Sequence, residues 1–216
     1  MINGIRLKVC GLTTRADAEF AASVGADYLG FIFYAKSPRA LTLPAFQGLG
    51  LRLPPVQKVA VSVEPTLAEL AGMNAAGFDA FQIHFRHDLA ASTVAAWAET
   101  VGVARLWLAP KLPPGVEVPE ALLPFAGSFL LDTFHAEKFG GTGKTGDWGK
   151  FARHQQAHPE KTWILSGGLD AENIGDALRQ TGAHFVDVNS GVESAPGVKA
   201  HAKLQGFADR LRERRA

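Results

Sequence analysis

Two side chains that can transfer protons stand at the ends of short apolar runs. Cys10 ends the run at residues 6–10, and Asp132 follows directly on the run at residues 127–131. Such runs are typical of buried parallel strands, and a closed α/β barrel carries its catalytic groups where its strands end. A thiol can act as a base, and a carboxyl group in apolar surroundings can act as an acid. The pair predicts acid–base chemistry, the alternatives being a structural cysteine and a carboxylate that caps a turn.

Glycine-rich segments follow three of the apolar runs. The polar loop at residues 133–146 comes directly after Asp132, and we expect it to be a catalytic loop. The turns at residues 166–170 and 189–193 follow the last two apolar runs. Glycines let backbone N–H groups approach an anion, and the loops after strands seven and eight of a (β/α)₈ barrel form its phosphate site. These turns predict a phosphorylated ligand, unless their glycines serve only to make tight turns.

Three other patterns resemble binding motifs to different degrees. Arg39 lies in the second loop, where its guanidinium could bind a carboxylate with two parallel hydrogen bonds or simply face solvent. Lys144 and Thr145 follow a glycine as in a P-loop, but the glycine required five residues earlier is replaced by Lys138. His154 and His158 lack the glutamate of the HExxH zinc motif, so we expect them on the solvated face of a helix. The sequence predicts no metal site.

Eight apolar runs alternate with helical or loop segments, which predicts a parallel sheet surrounded by helices. The predicted strands cover residues 6–10, 27–33, 57–63, 78–84, 103–109, 128–131, 162–165 and 184–188. The predicted helical segments cover residues 15–23, 44–48, the stretch after Thr66, 88–99, 120–125, the stretch from Asp147 past Phe151, 171–180 with Asp170 as its N-cap, and 201–212. Eight such units favour a single (β/α)₈ TIM barrel over residues 1–216 rather than an open sheet.

Composition excludes several classes of partner. The formal net charge of the chain is +1 at pH 7, so it lacks the basic character of a nucleic-acid-binding or membrane-surface protein. A single cysteine rules out an internal disulfide and fits a reducing compartment. No apolar run approaches the roughly 20 residues of a membrane span. We therefore expect a cytoplasmic protein without nucleic-acid or membrane partners.

Five segments at the predicted strand ends form a recognisable set. They are KVCGLT at residues 8–13, GFIFYAKSPR at 30–39, LD at 131–132 with GGTGKT at 140–145, SGGL at 166–169 and VDVNSGVE at 186–193. Together and in this order they resemble the phosphoribosylanthranilate isomerase family of tryptophan biosynthesis. The resemblance implies a cofactor-free Amadori rearrangement of N-(5'-phosphoribosyl)anthranilate to 1-(o-carboxyphenylamino)-1-deoxyribulose 5-phosphate. We expect the protein to be a monomer or a homodimer.

The resemblance also implies roles for individual residues. Asp132 matches the general acid that protonates the ribose ring oxygen, and Cys10 matches the base that removes the C2' proton. Arg39 matches the residue that holds the anthranilate carboxylate. The residues expected to bind the remainder of the substrate are His84, Gly141, Gly168, Asp187, Asn189, Ser190 and Gly191.

Two positions depart from the family pattern. Phe85 stands where the family has a glycine after the fourth strand, which predicts a bulky ring beside the barrel mouth. Asn189 stands where a serine is common, and its amide can still donate hydrogen bonds to phosphate. Two alternatives stay open, namely another phosphosugar aldose–ketose isomerase barrel or a non-catalytic phosphosugar-binding barrel. The first of these would carry an aspartate in place of Cys10.

Overall fold

A closed barrel of eight parallel strands in sequence order forms the centre of the molecule. The computed structural model describes residues 1–53, 55–132 and 147–213. The strands are β1 Arg6–Val9, β2 Tyr28–Ile32, β3 Gln57–Val63, β4 Ala80–Arg86, β5 Leu106–Lys111, β6 Ser128–Leu131, β7 Thr162–Leu165 and β8 Phe185–Val188. The helices are α1 Arg15–Ser23, α2 Leu43–Gly48, α3 Leu67–Ala75, α4 Ala91–Val101, α5 Trp148–Ala157, α6 Ile174–Thr181 and α7 His201–Arg212. No helix among these is long and apolar enough to cross a membrane.

Short elements complete the chain between and after the barrel strands. A 3₁₀ helix, Glu120–Phe125, stands between β5 and β6, and a second one, Ser190–Val192, follows β8. A two-stranded antiparallel ribbon, β9 Glu193–Ala195 and β10 Val198–Lys199, precedes α7. The predicted catalytic loop at residues 133–146 and Gly141 within it lie outside the described residues.

The predicted TIM barrel is confirmed, and the differences from prediction lie at element boundaries. Strands β4 and β5 begin later than expected because Gly77 and Gly102, both with positive φ, end the preceding helices and leave a few residues of connection. Helix α6 begins at Ile174, so Asp170 is not its N-cap. Asp170 instead accepts hydrogen bonds from the backbone N–H groups of Glu172 and Asn173, which stabilises the turn before the helix.

The barrel interior changes character along the strands. Every second residue of each strand points inward. Near the N-terminal ends these are large apolar groups, and the rings of Tyr28, Trp107 and Phe185 pack with centroids 5.0–5.5 Å apart. Closer to the C-terminal ends the interior holds buried polar groups, including Lys8 and Gln82. The apolar layer therefore closes one end, and polar side chains line the other.

Phe85 does not lie beside the barrel mouth, so that prediction was wrong. Its ring is fully buried and packs edge to face on Trp97 of α4, with centroids 5.7 Å apart. His84 faces the cavity at the barrel mouth. The next residue of a strand must then point to the opposite side, towards the helices.

His154 is also placed differently from its prediction. It is buried rather than solvated, its Nε2 lies 2.7 Å from Glu117 Oε2, and its ring stacks on Trp163. Lys150, one turn earlier, donates hydrogen bonds to the carbonyl groups of Pro113 and Val116. The proline-rich segment therefore covers this part of α5, which the helical spacing of the histidines could not indicate.

The burial of Phe85 yields a test of its structural role. Phe85→Ala should lower the free energy of unfolding by about 3–5 kcal/mol, because it removes a buried ring and leaves a cavity. Equilibrium urea unfolding measures this value. Leu67→Ala, at an exposed apolar residue of α3, should change it by no more than about 0.5 kcal/mol. A Phe85→Ala variant as stable as the wild type would show that the ring does not fill the core.

Candidate active site

One cavity of about 830 Å³ lies at the C-terminal ends of the barrel strands. The described site residues predicted from the sequence all line it, namely Cys10, Arg39, His84, Asp132, Gly168, Asp187, Asn189, Ser190 and Gly191. Gly141 falls in the part of the chain that is not described. Strand closure thus brings together residues that are up to 181 positions apart, from Cys10 to Gly191.

Cys10 lies at the end of β1 beside a buried ion pair. Lys8 is fully buried, and its Nζ lies 2.9 Å from Asp187 Oδ1. Strands β1 and β8 pair in the register that places Lys8 opposite Asp187. Sequence analysis does not single out Lys8, which occurs there only as the first residue of the segment at residues 8–13. The signal was its spacing of two residues from Cys10, which places both side chains on the inner side of the barrel.

The environment shifts the protonation equilibria of this group. Burial raises the pKa of the Cys10 thiol, although the positive charge of Lys8 opposes the shift. Burial also disfavours a charged Lys8, but Asp187 and Cys10 together outweigh this effect and raise the pKa of Lys8. Burial also raises the pKa of Asp187, against the opposing positive charge of Lys8. At neutral pH the free protein therefore holds a protonated thiol next to the contact between Lys8 and Asp187.

His84 and Gln82 occupy successive inward positions of β4. Burial, with a further contribution from the positive charge of Lys8, lowers the pKa of His84 to about 4. The ring is therefore neutral near pH 7, and its Nε2 lies 2.7 Å from Gln82 Nε2. Gln82 Oε1 is buried and has no hydrogen-bond partner among the residues described. These two side chains present polar atoms to the cavity without adding charge.

Arg39 is held by a carboxylate that sequence analysis did not single out. Its Nε and Nη2 donate hydrogen bonds of 2.8 and 2.6 Å to the two carboxylate oxygens of Glu193. Glu193 also accepts a hydrogen bond from the buried Lys199, whose ammonium donates to the side-chain and backbone oxygens of Asn189. Burial disfavours the charged Glu193, but Arg39 and Lys199 offset this and lower its pKa. This chain of contacts fixes Arg39 relative to the turn after β8.

The turns after β7 and β8 pack directly on one another. Gly167 and Gly168 both have positive φ, and the side chain of Asn173 donates a hydrogen bond of 2.8 Å to the Gly168 carbonyl group. A Cβ atom on Gly191 would overlap the carbonyl oxygen of Leu169. A glycine is therefore required at position 191 for the close approach of the two turns.

Asp132 directly follows β6 and lies between two cavities. It lines the main cavity, and it also borders a smaller cavity of about 130 Å³ whose wall includes Lys150 and Asp147. No group of three histidine, cysteine, aspartate or glutamate side chains within residues 1–53, 55–132 and 147–213 could hold a metal ion. The ionisable groups that the described lining residues bring to this mouth include a thiol, carboxyl groups, a neutral imidazole and cations.

A family model described as N-(5'phosphoribosyl)anthranilate (PRA) isomerase matches residues 7–210. The chain belongs to this family. It is therefore an isomerase of tryptophan biosynthesis, as its motifs indicated.

Individual relatives agree with the family assignment. The N-(5'-phosphoribosyl)anthranilate isomerase of Cereibacter sphaeroides is 39% identical over 220 residues, which cover 97% of this chain and 99% of the relative. The crystal structure of phosphoribosyl anthranilate isomerase from Thermotoga maritima is 31% identical with a TM-score of 0.78, and 96% of this chain and 98% of that one are covered. A family structure in complex with reduced 1-(o-carboxyphenylamino)-1-deoxyribulose 5-phosphate is 28% identical with a TM-score of 0.73, at 96% and 98% coverage.

Proposed function

We propose that this chain isomerises N-(5'-phosphoribosyl)anthranilate with Asp132 as general acid and Cys10 as general base. The observation that carries the proposal is that both side chains line one cavity, which also contains an arginine and two glycine-rich turns. The substrate needs these four functions, because it carries a carboxylate at one end and a phosphate at the other. We further propose that the protein works in the cytoplasm as a monomer or homodimer.

The first step opens the ribose ring. The carboxyl group of Asp132 gives its proton to the ring oxygen, and the bond between that oxygen and C1' breaks. The lone pair of the anilino nitrogen forms the C1'=N bond of an iminium ion. A protonated carboxyl group suits this step because the leaving oxygen would otherwise depart as an alkoxide.

The second step moves a proton from carbon. The fraction of enzyme with an ionised Cys10 carries out this step. Its thiolate removes the C2' proton, and the C–H electron pair forms the C1'=C2' bond as the C1'=N electrons return to nitrogen. The resulting enolamine becomes the ketone when its 2'-hydroxyl loses a proton and C1' gains one. The iminium ion acidifies the C2' proton, so positioning and a moderate base suffice.

Arg39 is proposed to bind the anthranilate carboxylate. Glu193 occupies the Nε and Nη2 side of the guanidinium. A guanidinium carries five N–H donors, so the Nη1 side can still form two parallel hydrogen bonds with a second carboxylate. Glu193 therefore supports this assignment, because it orients Arg39 without using all its donors.

The phosphate is assigned to the turns that contain Gly168 and residues 189–191. Their close packing supports this assignment because it brings the backbone of both turns to one wall of the cavity, where N–H groups can approach an anion. Asn189 is fixed by Lys199 and can donate from its amide nitrogen. The phosphorylated ligand of the related complex is compatible with this assignment. Asp187 and the neutral His84 are proposed to contact the ribose. Substrate binding by Gly141, which lies outside the described residues, stays a prediction.

The acid and base assignments predict large losses of activity from conservative substitutions. Cys10→Ser and Asp132→Asn should each lower kcat by roughly 10²–10⁴-fold while the protein stays folded, because each removes one proton transfer. The double variant should lose less than the product of the two factors. Steady-state kinetics with the fluorescent substrate measures these values. A Cys10→Ser enzyme with wild-type kcat would contradict the role of the thiol.

The arginine assignment predicts an effect on substrate capture. Arg39→Lys keeps a positive charge but loses the planar pair of donors, so kcat/KM should fall by the equivalent of roughly 1.5–3 kcal/mol. Arg52→Lys, at an exposed arginine outside the cavity lining, is the matched control and should leave kcat/KM unchanged. Equal kcat/KM in both variants would leave the carboxylate end of the substrate without its proposed partner.

The phosphate assignment predicts stabilisation by a simple anion. Inorganic phosphate should raise the Tm of the wild type by mass action and inhibit the enzyme competitively. Gly191→Ala should lose most of this shift because its methyl group would force the two turns apart. Gly175→Ala, where a methyl group meets nothing closer than 3.6 Å, should keep the shift. Thermal scans that show no phosphate effect on the wild type would contradict the assignment.

A further inference from the structure

The fully buried Lys8 stands out among the ionisable groups of the barrel. A lysine rarely lies in a protein interior without a carboxylate partner, and Asp187 supplies one at 2.9 Å. The pair sits directly above the apolar layer of the barrel rather than at the rim. Replacing a buried ion pair by apolar residues is often neutral or stabilising, so stability alone does not account for this pair.

The geometry places Lys8 against the thiol. Lys8 projects inward from β1, and Cys10, the residue directly after the strand, packs among the inward-facing side chains of the barrel two residues further on. Lys8 and Cys10 share the space left open by Gly30 on β2, where a Cβ atom would lie 2.9 Å from Cys10 Sγ and 3.0 Å from Lys8 Cε. Any larger residue at position 30 would displace one of them. The neighbouring strand thus leaves room for a lysine and a cysteine side by side.

We propose that the Lys8 ammonium is the counter-ion of the Cys10 thiolate and that Asp187 holds Lys8 in this position. The inference rests on the proposed function, in which Cys10 removes a proton from C2' as a thiolate. Lys8 is then a positioning residue that acts through Cys10. Asp187 has two opposing effects, since it keeps Lys8 charged and in place while its own negative charge disfavours the thiolate.

Other charged groups near Cys10 have to be weighed with Lys8. Lys199, next to the turn after β8, and Arg39, in the loop after β2, are both partly neutralised by Glu193. His84 on β4 is neutral near pH 7 because of its low pKa. The Lys8 charge lowers the pKa of Cys10 more than the Lys199 charge does, and more than the Asp187 charge raises it. Lys8 is therefore the cation with the strongest influence on the thiol.

The opposite signs of the two charges provide the test. The chain has one cysteine, so the pH dependence of its alkylation by iodoacetamide reports Cys10 alone. Lys8→Met should move this titration to higher pH by about one unit, a tenfold change in the ionisation constant. Asp187→Asn should move it by less than Lys8→Met does, because the loss of the Asp187 charge favours the thiolate while the weaker hold on Lys8 disfavours it. Both variants break the same ion pair, so a purely structural role would move the two titrations equally or leave both unchanged, and either result would overturn the proposal.

A double variant covers the case in which a single variant does not fold. Lys8→Met with Asp187→Asn leaves no unpaired buried charge, and its titration should still move to higher pH, by less than in Lys8→Met alone. An unchanged titration in the folded double variant would overturn the proposal. Lys58→Met, at a lysine of β3 outside the cavity lining, is the matched control and should leave the titration unchanged.

The kinetic counterpart separates this proposal from the one on which it rests. If Cys10 acts as a thiolate, the pH profile of kcat/KM should depend on the ionisation constant of its thiol. Lys8→Met should then lower the plateau of this profile about tenfold and move its decline on the basic side to higher pH. An inactive Cys10→Ser enzyme together with an unshifted Lys8→Met titration would contradict the proposed role of Lys8 and leave Cys10 as the proposed base. An active Cys10→Ser enzyme would contradict the assignment of Cys10 as the base, whatever the alkylation titration of Lys8→Met showed.

Discussion

Charge inside a closed barrel is the constraint on which the candidate active site depends. Closure of the sheet brings β1 next to β8, and the register between them places Lys8 opposite Asp187. Neither group could be buried alone, because an unpaired charge in an apolar interior is strongly unfavourable. The pair therefore requires that β1 and β8 meet in one register. This register also sets the position of Cys10, which lies two residues after Lys8.

A second set of charges organises the rim of the same cavity. Glu193 lies at the start of the ribbon after β8 and joins Arg39 from the second loop to Lys199 from the end of the ribbon. Lys199 in turn holds Asn189 in the turn after β8. The proposed carboxylate-binding and phosphate-binding ends of the cavity are thus parts of one hydrogen-bonded network. Such a network can hold two ends of a ligand at a constant separation, which favours a reaction that depends on positioning.

The two layers of the interior divide structural and chemical tasks between them. The aromatic layer formed by Tyr28, Trp107 and Phe185 fills the barrel and carries no ionisable group other than the tyrosine hydroxyl. The polar layer above it holds groups whose pKa values are shifted by burial and by each other, notably Cys10 and His84. Shifted pKa values of this kind are characteristic of functional sites, although buried structural pairs produce them as well. The convergence of these groups on one cavity favours function here.

The sequence by itself determined the fold class and selected residues that the barrel brings to one cavity. Alternating apolar runs and helical segments were sufficient for the (β/α)₈ barrel, because each unit can bury its apolar face only by adding to a parallel sheet. The rule that βα loops carry the chemistry then selected Cys10, Arg39 and Asp132. The capping box of Thr66 and Glu69 was likewise predictable, since it depends on residues three positions apart.

Only the tertiary structure decided which groups meet across the barrel. The pairing of Lys8 with Asp187 joins residues 179 positions apart, and that of Arg39 with Glu193 joins residues 154 positions apart. No local pattern encodes such contacts, because they depend on strand register and loop path. Phe85 and His154 show the same limit, since Phe85 packs against a helix and a proline-rich segment covers the histidine. Spacing along the chain predicts which side of an element a residue occupies, but the packed neighbours determine whether that side is solvent, core or cavity.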